Sequence, residues 1–166
     1  MIINYIIIMK TGGYVKTHRR GSKEFVSNAL RDTQEVAQSV VRCARPHRDR
    51  AFVLALNGEL GAGKTQVAKA ISRAFGVERV IQSPTFVIMK SYPLSHPLFS
   101  VLYHFDWYRI TSKAEIDGLG WGAITQNPKA FVVVEWAENC EPALPSTTLY
   151  MNIEVVSTTQ RRITLF

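Results

Sequence analysis

Residues 52–65 read FVLALNGELGAGKT, and this stretch decides the fold. Phe52 to Leu56 is a continuous apolar run, the pattern of a strand buried on both faces of a sheet. From Gly58 to Thr65 the chain then fits G-x-x-x-x-G-K-[ST] at every fixed position. A helix is predicted from about Lys64 to Phe75, stopped by Gly76. A strand, a glycine loop and a helix in that order make a phosphate cradle. The glycines let the backbone wrap closely, so the N–H groups of Glu59, Leu60, Gly61, Ala62, Gly63, Lys64 and Thr65 can face an anion at the helix N-terminus. Lys64 is expected to reach the β- and γ-oxygens, and the Thr65 hydroxyl to ligate Mg²⁺.

Working outward, Asp32-Thr-Gln-Glu35 reads as a capping box opening a helix, with Val36, Ala37, Val40, Val41 and Ala44 at helical spacing and Pro46 ending the run. Val80–Ile81 and Thr85–Lys90 read as strand segments around a Ser83-Pro84 turn. Val101 to Asp106 is a further strand, and residues 113–126 hold a short helix with glycine turns. Phe131 to Glu135 (FVVVE) is a second fully apolar strand, and Thr147–Val155 and Arg162–Phe166 close the chain as strands. Apolar strands alternating with helices predict an α/β fold: a mostly parallel sheet flanked by helices, with an antiparallel C-terminal annex.

A phosphate loop needs an acid at the end of a neighbouring strand. Two candidates exist, Glu135 ending FVVVE and Asp106 ending LYHFD, with His104 on the same face as Asp106. Either could hold the metal while the other positions or deprotonates the attacking water. Ser83 and Thr85 lie where a loop after the first helix could sense the γ-phosphate. Asp117-Gly-Leu-Gly120 matches D-x-x-G without a preceding apolar strand. No N-K-x-D motif occurs, which favours adenine over guanine. ATP and Mg²⁺ are the expected ligands.

Composition narrows the class. With 166 residues, 46% hydrophobic and 20% charged, the chain can bury a core, which excludes a disordered tail. The net charge of +7 is lopsided: residues 1–50 carry ten Lys/Arg against four Asp/Glu, whereas residues 51–166 carry ten against nine. Residues 1–23 are therefore expected to be a basic, disordered extension, and residues 24–166 the folded domain. The apolar run Met1 to Met9 is interrupted by Asn4 and is too short to span a membrane. It has no signal-peptide flanks. Two cysteines, Cys43 and Cys140, make neither a disulfide framework nor a zinc site, so a cytoplasmic location is expected.

GELGAGKT, SPTF, YHFDWYR and VVVEWAE, in that order and spacing, resemble the bacterial TsaE (YjeE) family over roughly residues 30 to 166. The resemblance implies a P-loop NTPase sheet. It also implies an ATPase that works with TsaB and TsaD in making threonylcarbamoyladenosine beside the tRNA anticodon, with tRNA met mainly through that complex. By the same resemblance Thr65 and Glu135 hold Mg²⁺, and Asp106 serves the hydrolytic step. Thr85 belongs to a switch loop, and Thr33 lies near the adenine. The chain departs from the family at residues 1–23, at Trp107, where a smaller apolar residue is usual, and at Gln66, where a second threonine is common.

Two other functions fit a phosphate loop of this size. One is a small-molecule kinase, which would close an arginine-bearing lid; between Ile110 and Ala130 there is no arginine. The other is a nucleotide-dependent binding module whose hydrolysis is incidental.

Overall fold

The two apolar runs become neighbouring buried strands paired in parallel, Phe52 opposite Phe131 and Leu56 opposite Glu135. The computed structural model describes residues 15–17, 22–78, 83, 84 and 86–166. Along the chain these form β1 (Val15–Thr17), β2 (Lys23–Ser27), α1 (Leu30–Cys43), β3 (Phe52–Asn57), α2 (Lys64–Ala74), β4 (Met89–Pro93) and β5 (Val101–Asp106). There follow α3 (Lys113–Asp117), α4 (Trp121–Thr125), β6 (Ala130–Glu135), a 3₁₀ segment (Ala137–Ala143), β7 (Leu149–Val155) and β8 (Arg161–Leu165). The described strands make one sheet in the order β1-β2-β8-β7-β3-β6-β5-β4.

β7, β3, β6 and β5 pair in parallel and form the predicted core of the sheet. Antiparallel strands continue it on both sides: β8, β2 and β1 beyond β7, and β4 beyond β5. The C-terminal annex thus recruits strands from the other end of the chain. β2 begins at Lys23, and Val15–Thr17, from the basic extension, pairs with it. Residues 1–14 and 18–21 of that extension lie outside the described residues.

Period-two alternation in the central strands sorts side chains between two cores. Phe52, Leu54 and Leu56 face α1 and α2, joined by Val36, Val40, Val67, Ile71, Phe131 and Val133. Val53 and Ala55 face the other way, toward Ile116, Trp121, Ile124 and Cys140 of α3, α4 and the 3₁₀ segment. Trp107, the departure from the family pattern, is fully buried in this second core. Its ring lies 5.1 Å from that of Trp121 and 6.5 Å from that of Phe105.

Two local readings are corrected. α1 starts two residues before Asp32, so Asp32 occupies the third position of the first turn instead of the cap; its carboxylate accepts N–H bonds from Asn28 (2.9 Å) and Ala29 (3.2 Å). The strand expected from residue 85 begins only at Met89. Phe86 to Ile88 turn back on Pro84, whose carbonyl accepts from Val87 and Ile88, and Ile88 sits at φ 62°. Asp117 of the D-x-x-G match, which no apolar strand precedes, ends α3 and pairs there with Lys113. The segment expected over Val80–Ile81, and Thr85, lie outside the described residues. No helix among the described residues is long and apolar enough to cross a membrane.

Candidate functional site

β3 delivers the glycine loop to the N-terminus of α2, and each fixed position of the motif has a visible reason. Gly58 lies at φ 144°, where a Cβ would collide with the Ile153 carbonyl of β7. Gly63, which precedes α2, lies at φ 112° and accepts at its carbonyl from the N–H groups of Gln66 (2.9 Å) and Val67 (3.1 Å). L-residues adopt such backbone angles only at a cost. The Gly58 N–H reaches across to the Glu138 carboxylate at 3.3 Å.

Lys64 is buried, with its ammonium folded back over the loop. It donates to the carbonyls of Gly58 and Glu59, the latter at 3.0 Å, and lies 3.3 Å from the centroid of the Trp136 ring. Burial pulls its pKa below the ordinary 10.5, against the opposing pull of Glu138, Glu135, Asp106 and Glu59. Trp136 owes this position to a left-handed backbone (φ 58°) immediately after β6, a conformation that sets the indole across the loop.

Both acids singled out in the sequence converge on the same place. Asp106 and Glu135 are register partners at the ends of β5 and β6, and both are buried. The Thr65 hydroxyl donates to Glu135 Oε2 at 2.7 Å, and His104 Nε2 lies 2.7 Å from Oε1 of the same carboxylate. Asp106 accepts from the Ser83 hydroxyl at Oδ2 and from the Tyr108 N–H (3.0 Å) at Oδ1. The structure therefore brings together Lys64, Thr65, Glu135, Asp106 and Ser83.

Two cavities flank the loop and share Gly61, Gly63 and Gln66 in their walls. The smaller, about 270 Å³, is completed by Leu60, Lys64, Thr65, Glu135 and Trp136. The larger, about 410 Å³, lies between the start of α1, the loop and the β7–β8 turn, with Thr33, Ala29, Thr158, Thr159 and Arg161 among its walls. Thr33, expected beside a base, lines this cavity, and its hydroxyl shares a 2.8 Å hydrogen bond with Ser27. Arg161 ties the turn to the loop: Nε donates to the Ala62 carbonyl (3.1 Å), and Nη1 donates to the carbonyls of Ser157 (2.8 Å) and Gln160 (3.0 Å). Arg161, Thr158, Thr159, Glu138 and the His104 contact were not anticipated from the sequence. Nothing local marks them, because the contacts that bring them to the loop are with distant residues: Arg161 with Ala62, Glu138 with Gly58 and His104 with Glu135.

The donor set suits a hard divalent cation shared with phosphate. Thr65 and Glu135 offer oxygen ligands side by side, and among the described residues no three His, Cys, Asp or Glu cluster as a metal cage. Mg²⁺ is commonly held in this way, by one or two protein oxygens with phosphate and water completing the shell. Leu60, in the wall of the smaller cavity, is exposed, as are Tyr108, whose ring lies 4.9 Å from that of Trp136, and Phe86 and Val87 in the turn after Pro84; the Arg109 guanidinium lies 5.1 Å from the centre of the Phe86 ring.

Comparison with known proteins identifies the family and supports the fold. The family model described as "Threonylcarbamoyl adenosine biosynthesis protein TsaE" matches residues 27–163. The Bacillus subtilis (strain 168) protein named "tRNA threonylcarbamoyladenosine biosynthesis protein TsaE" is 35% identical over 133 residues, covering 80% of this chain and 78% of that one. A Mycobacterium bovis protein of the same name is 38% identical over 117 residues, covering 67% and 68%. Among solved structures, that described as "Crystal structure of Bacillus subtilus YdiB" superposes with a TM-score of 0.70 at 29% identity, covering 92% of this chain and 86% of its own.

Proposed function

The chain belongs to the TsaE family of tRNA threonylcarbamoyladenosine biosynthesis, and from that premise we propose that it serves the pathway as an Mg²⁺-dependent ATPase. The observation that carries this reading is the 2.7 Å bond between Thr65 of the phosphate loop and Glu135 at the end of β6, beside a cavity lined by Lys64. The smaller cavity takes the phosphates, and the larger, with Thr33 in its wall, takes the nucleoside.

On binding, Lys64 exchanges its two carbonyl partners for β- and γ-phosphate oxygens, a trade of neutral acceptors for charged ones. Thr65 and Glu135 are the residues that would hold Mg²⁺, which when bound neutralises charge on the phosphates. Asp106, one strand away, orients a water for attack on the γ-phosphorus and takes its proton as the bond to the β-phosphate breaks. The Ser83 hydroxyl now on Asp106, with Thr85 two residues on in the chain, belongs to a switch loop that rearranges when the triphosphate arrives.

The apolar rim of Leu60, Phe86, Val87 and Tyr108 supports a site completed by protein partners, since exposed large side chains beside a catalytic mouth mark interaction surfaces. TsaB and TsaD are the partners we assign, acting in the cytoplasm, with tRNA reached through their complex. Turnover is slow without them, because the chain carries no arginine between Ile110 and Ala130 to close over the γ-phosphate. A tenfold stimulation needs only about 1.4 kcal/mol off the barrier. The test is steady-state ATP hydrolysis by the pure protein, then with TsaB–TsaD, then with tRNA alone. Stimulation by TsaB–TsaD is expected; stimulation by tRNA alone would overturn the assignment of partners.

A further inference from the structure

We propose that His104 is a positioning residue for the carboxylate of Glu135, holding Oε1 so that Oε2 stays turned toward Thr65 and the cation. This rests on the reading of Glu135 as a metal ligand.

The geometry is specific. His104 and Glu135 are 1% and 2% exposed, so neither meets bulk water. A buried carboxylate has two oxygens that only accept, and each must find a donor. Oε2 receives the Thr65 hydroxyl and Oε1 receives the imidazole, both at 2.7 Å. Because the carboxylate cannot donate, Nε2 must carry the proton in this contact. Both acceptors are thus committed, and the carboxylate plane is fixed between a strand and a helix.

The Thr65 hydroxyl can keep donating to Oε2 while its lone pairs face an ion. The imidazole has no such second use, since His104 Nδ1 is buried without a hydrogen-bond partner among the described residues. A ring buried at that cost for packing alone would be better replaced by a hydrocarbon, as at Leu102, which shares its face of β5. One described contact explains the histidine, and it is the contact with Glu135. Partners that orient a ligating carboxylate typically tune metal affinity by about 10–100-fold.

The experiment measures Mg²⁺ half-saturation of the complex with a fluorescent ADP analogue, alongside affinity for the same analogue in EDTA. The proteins compared are the wild type, His104→Phe, His104→Gln and Glu135→Gln. His104→Phe removes the donor and keeps a ring, whereas His104→Gln places an amide N–H where Nε2 was. The expected result is at least about a tenfold rise in Mg²⁺ half-saturation for His104→Phe, unchanged affinity in EDTA, and recovery to within a few-fold in His104→Gln. Unchanged Mg²⁺ dependence in folded His104→Phe overturns the inference. So does a parallel loss of metal-free affinity and stability that glutamine does not rescue. If Glu135→Gln itself leaves Mg²⁺ dependence untouched, the metal reading of Glu135 fails first; if it shifts and His104→Phe does not, only the role of His104 fails. Should the phenylalanine variant not fold, His104→Asn, whose amide is too short to reach Oε1, takes its place against His104→Gln. Equal Mg²⁺ dependence in those two then refutes the proposal.

Discussion

Replacing Gly58 by alanine tests whether the loop is shaped by its neighbours or merely by its own flexibility. At φ 144° an L-residue is strained, a cost of about 1–3 kcal/mol. The added methyl would also strike the Ile153 carbonyl and sit 3.2 Å from Ala62 Cβ. Ile153 cannot retreat easily, because β7 is paired on both sides, with β3 and β8. Overpacking of this kind adds about 1–3 kcal/mol, so the total destabilisation should be about 2–6 kcal/mol. Gly61 provides the comparison: at φ 79°, with no neighbouring atom within 4 Å of where a methyl would stand, Gly61→Ala should cost only about 1–2 kcal/mol. Urea denaturation of both variants measures the difference. ATP titration should show the larger loss for Gly58→Ala, since a shift at Gly58 displaces the start of the loop whose N–H groups are to face the phosphates. Equal destabilisation by the two substitutions would refute the packing argument.

Lys64→Ala should weaken ATP binding by about 10–100-fold, the value of one or two charge-assisted contacts, as read by calorimetry on the folded variant. Burial lowers the Lys64 pKa, so between that lowered value and 10.5 the unfolded chain holds a proton that the folded chain has released; stability should climb with pH there relative to Lys64→Met, and a flat difference would contradict the burial. Glu135→Ala should disturb Mg²⁺-dependent nucleotide binding, whereas Asp106→Ala should retain Mg–ATP and lose turnover; the reverse pattern would exchange their roles. Thr159→Trp, filling the larger cavity, should reduce affinity for ATP while sparing inorganic triphosphate, and an equal loss for both would move the nucleoside elsewhere.

The centre of the sheet is legible in the sequence because its signals are local. Two uninterrupted apolar runs announce β3 and β6, and the loop motif is contiguous. β2 escapes a sequence reading for a physical reason: its inward positions are Lys23, Phe25 and Ser27, so only one of three is apolar and the alternation cannot be read. The start of α1 is easily misplaced because an aspartate in the first turn caps backbone N–H groups much as one at the cap itself does. Spacing puts His104 on the same face as Asp106, but only the register of β5 against β6 shows that its ring meets Glu135. Two walls of the larger cavity, the start of α1 and the β7–β8 turn, lie more than a hundred residues apart, and no pattern within either segment announces the other.

That last arrangement has a consequence in time. Gln160 donates to Asn28 across 132 positions, and Arg161 holds the Ala62 carbonyl across 99. A ribosome making this chain extrudes the glycine loop about a hundred residues before Arg161, so one wall of the larger cavity waits until Arg161 has left the exit tunnel. Contacts of such sequence separation form late, because the chain between them must first be closed into a loop. A nascent chain halted before the β7–β8 turn should therefore carry the glycine loop without one wall of the larger cavity, and on the proposed reading it should hold nucleotide more weakly than a chain that includes that turn.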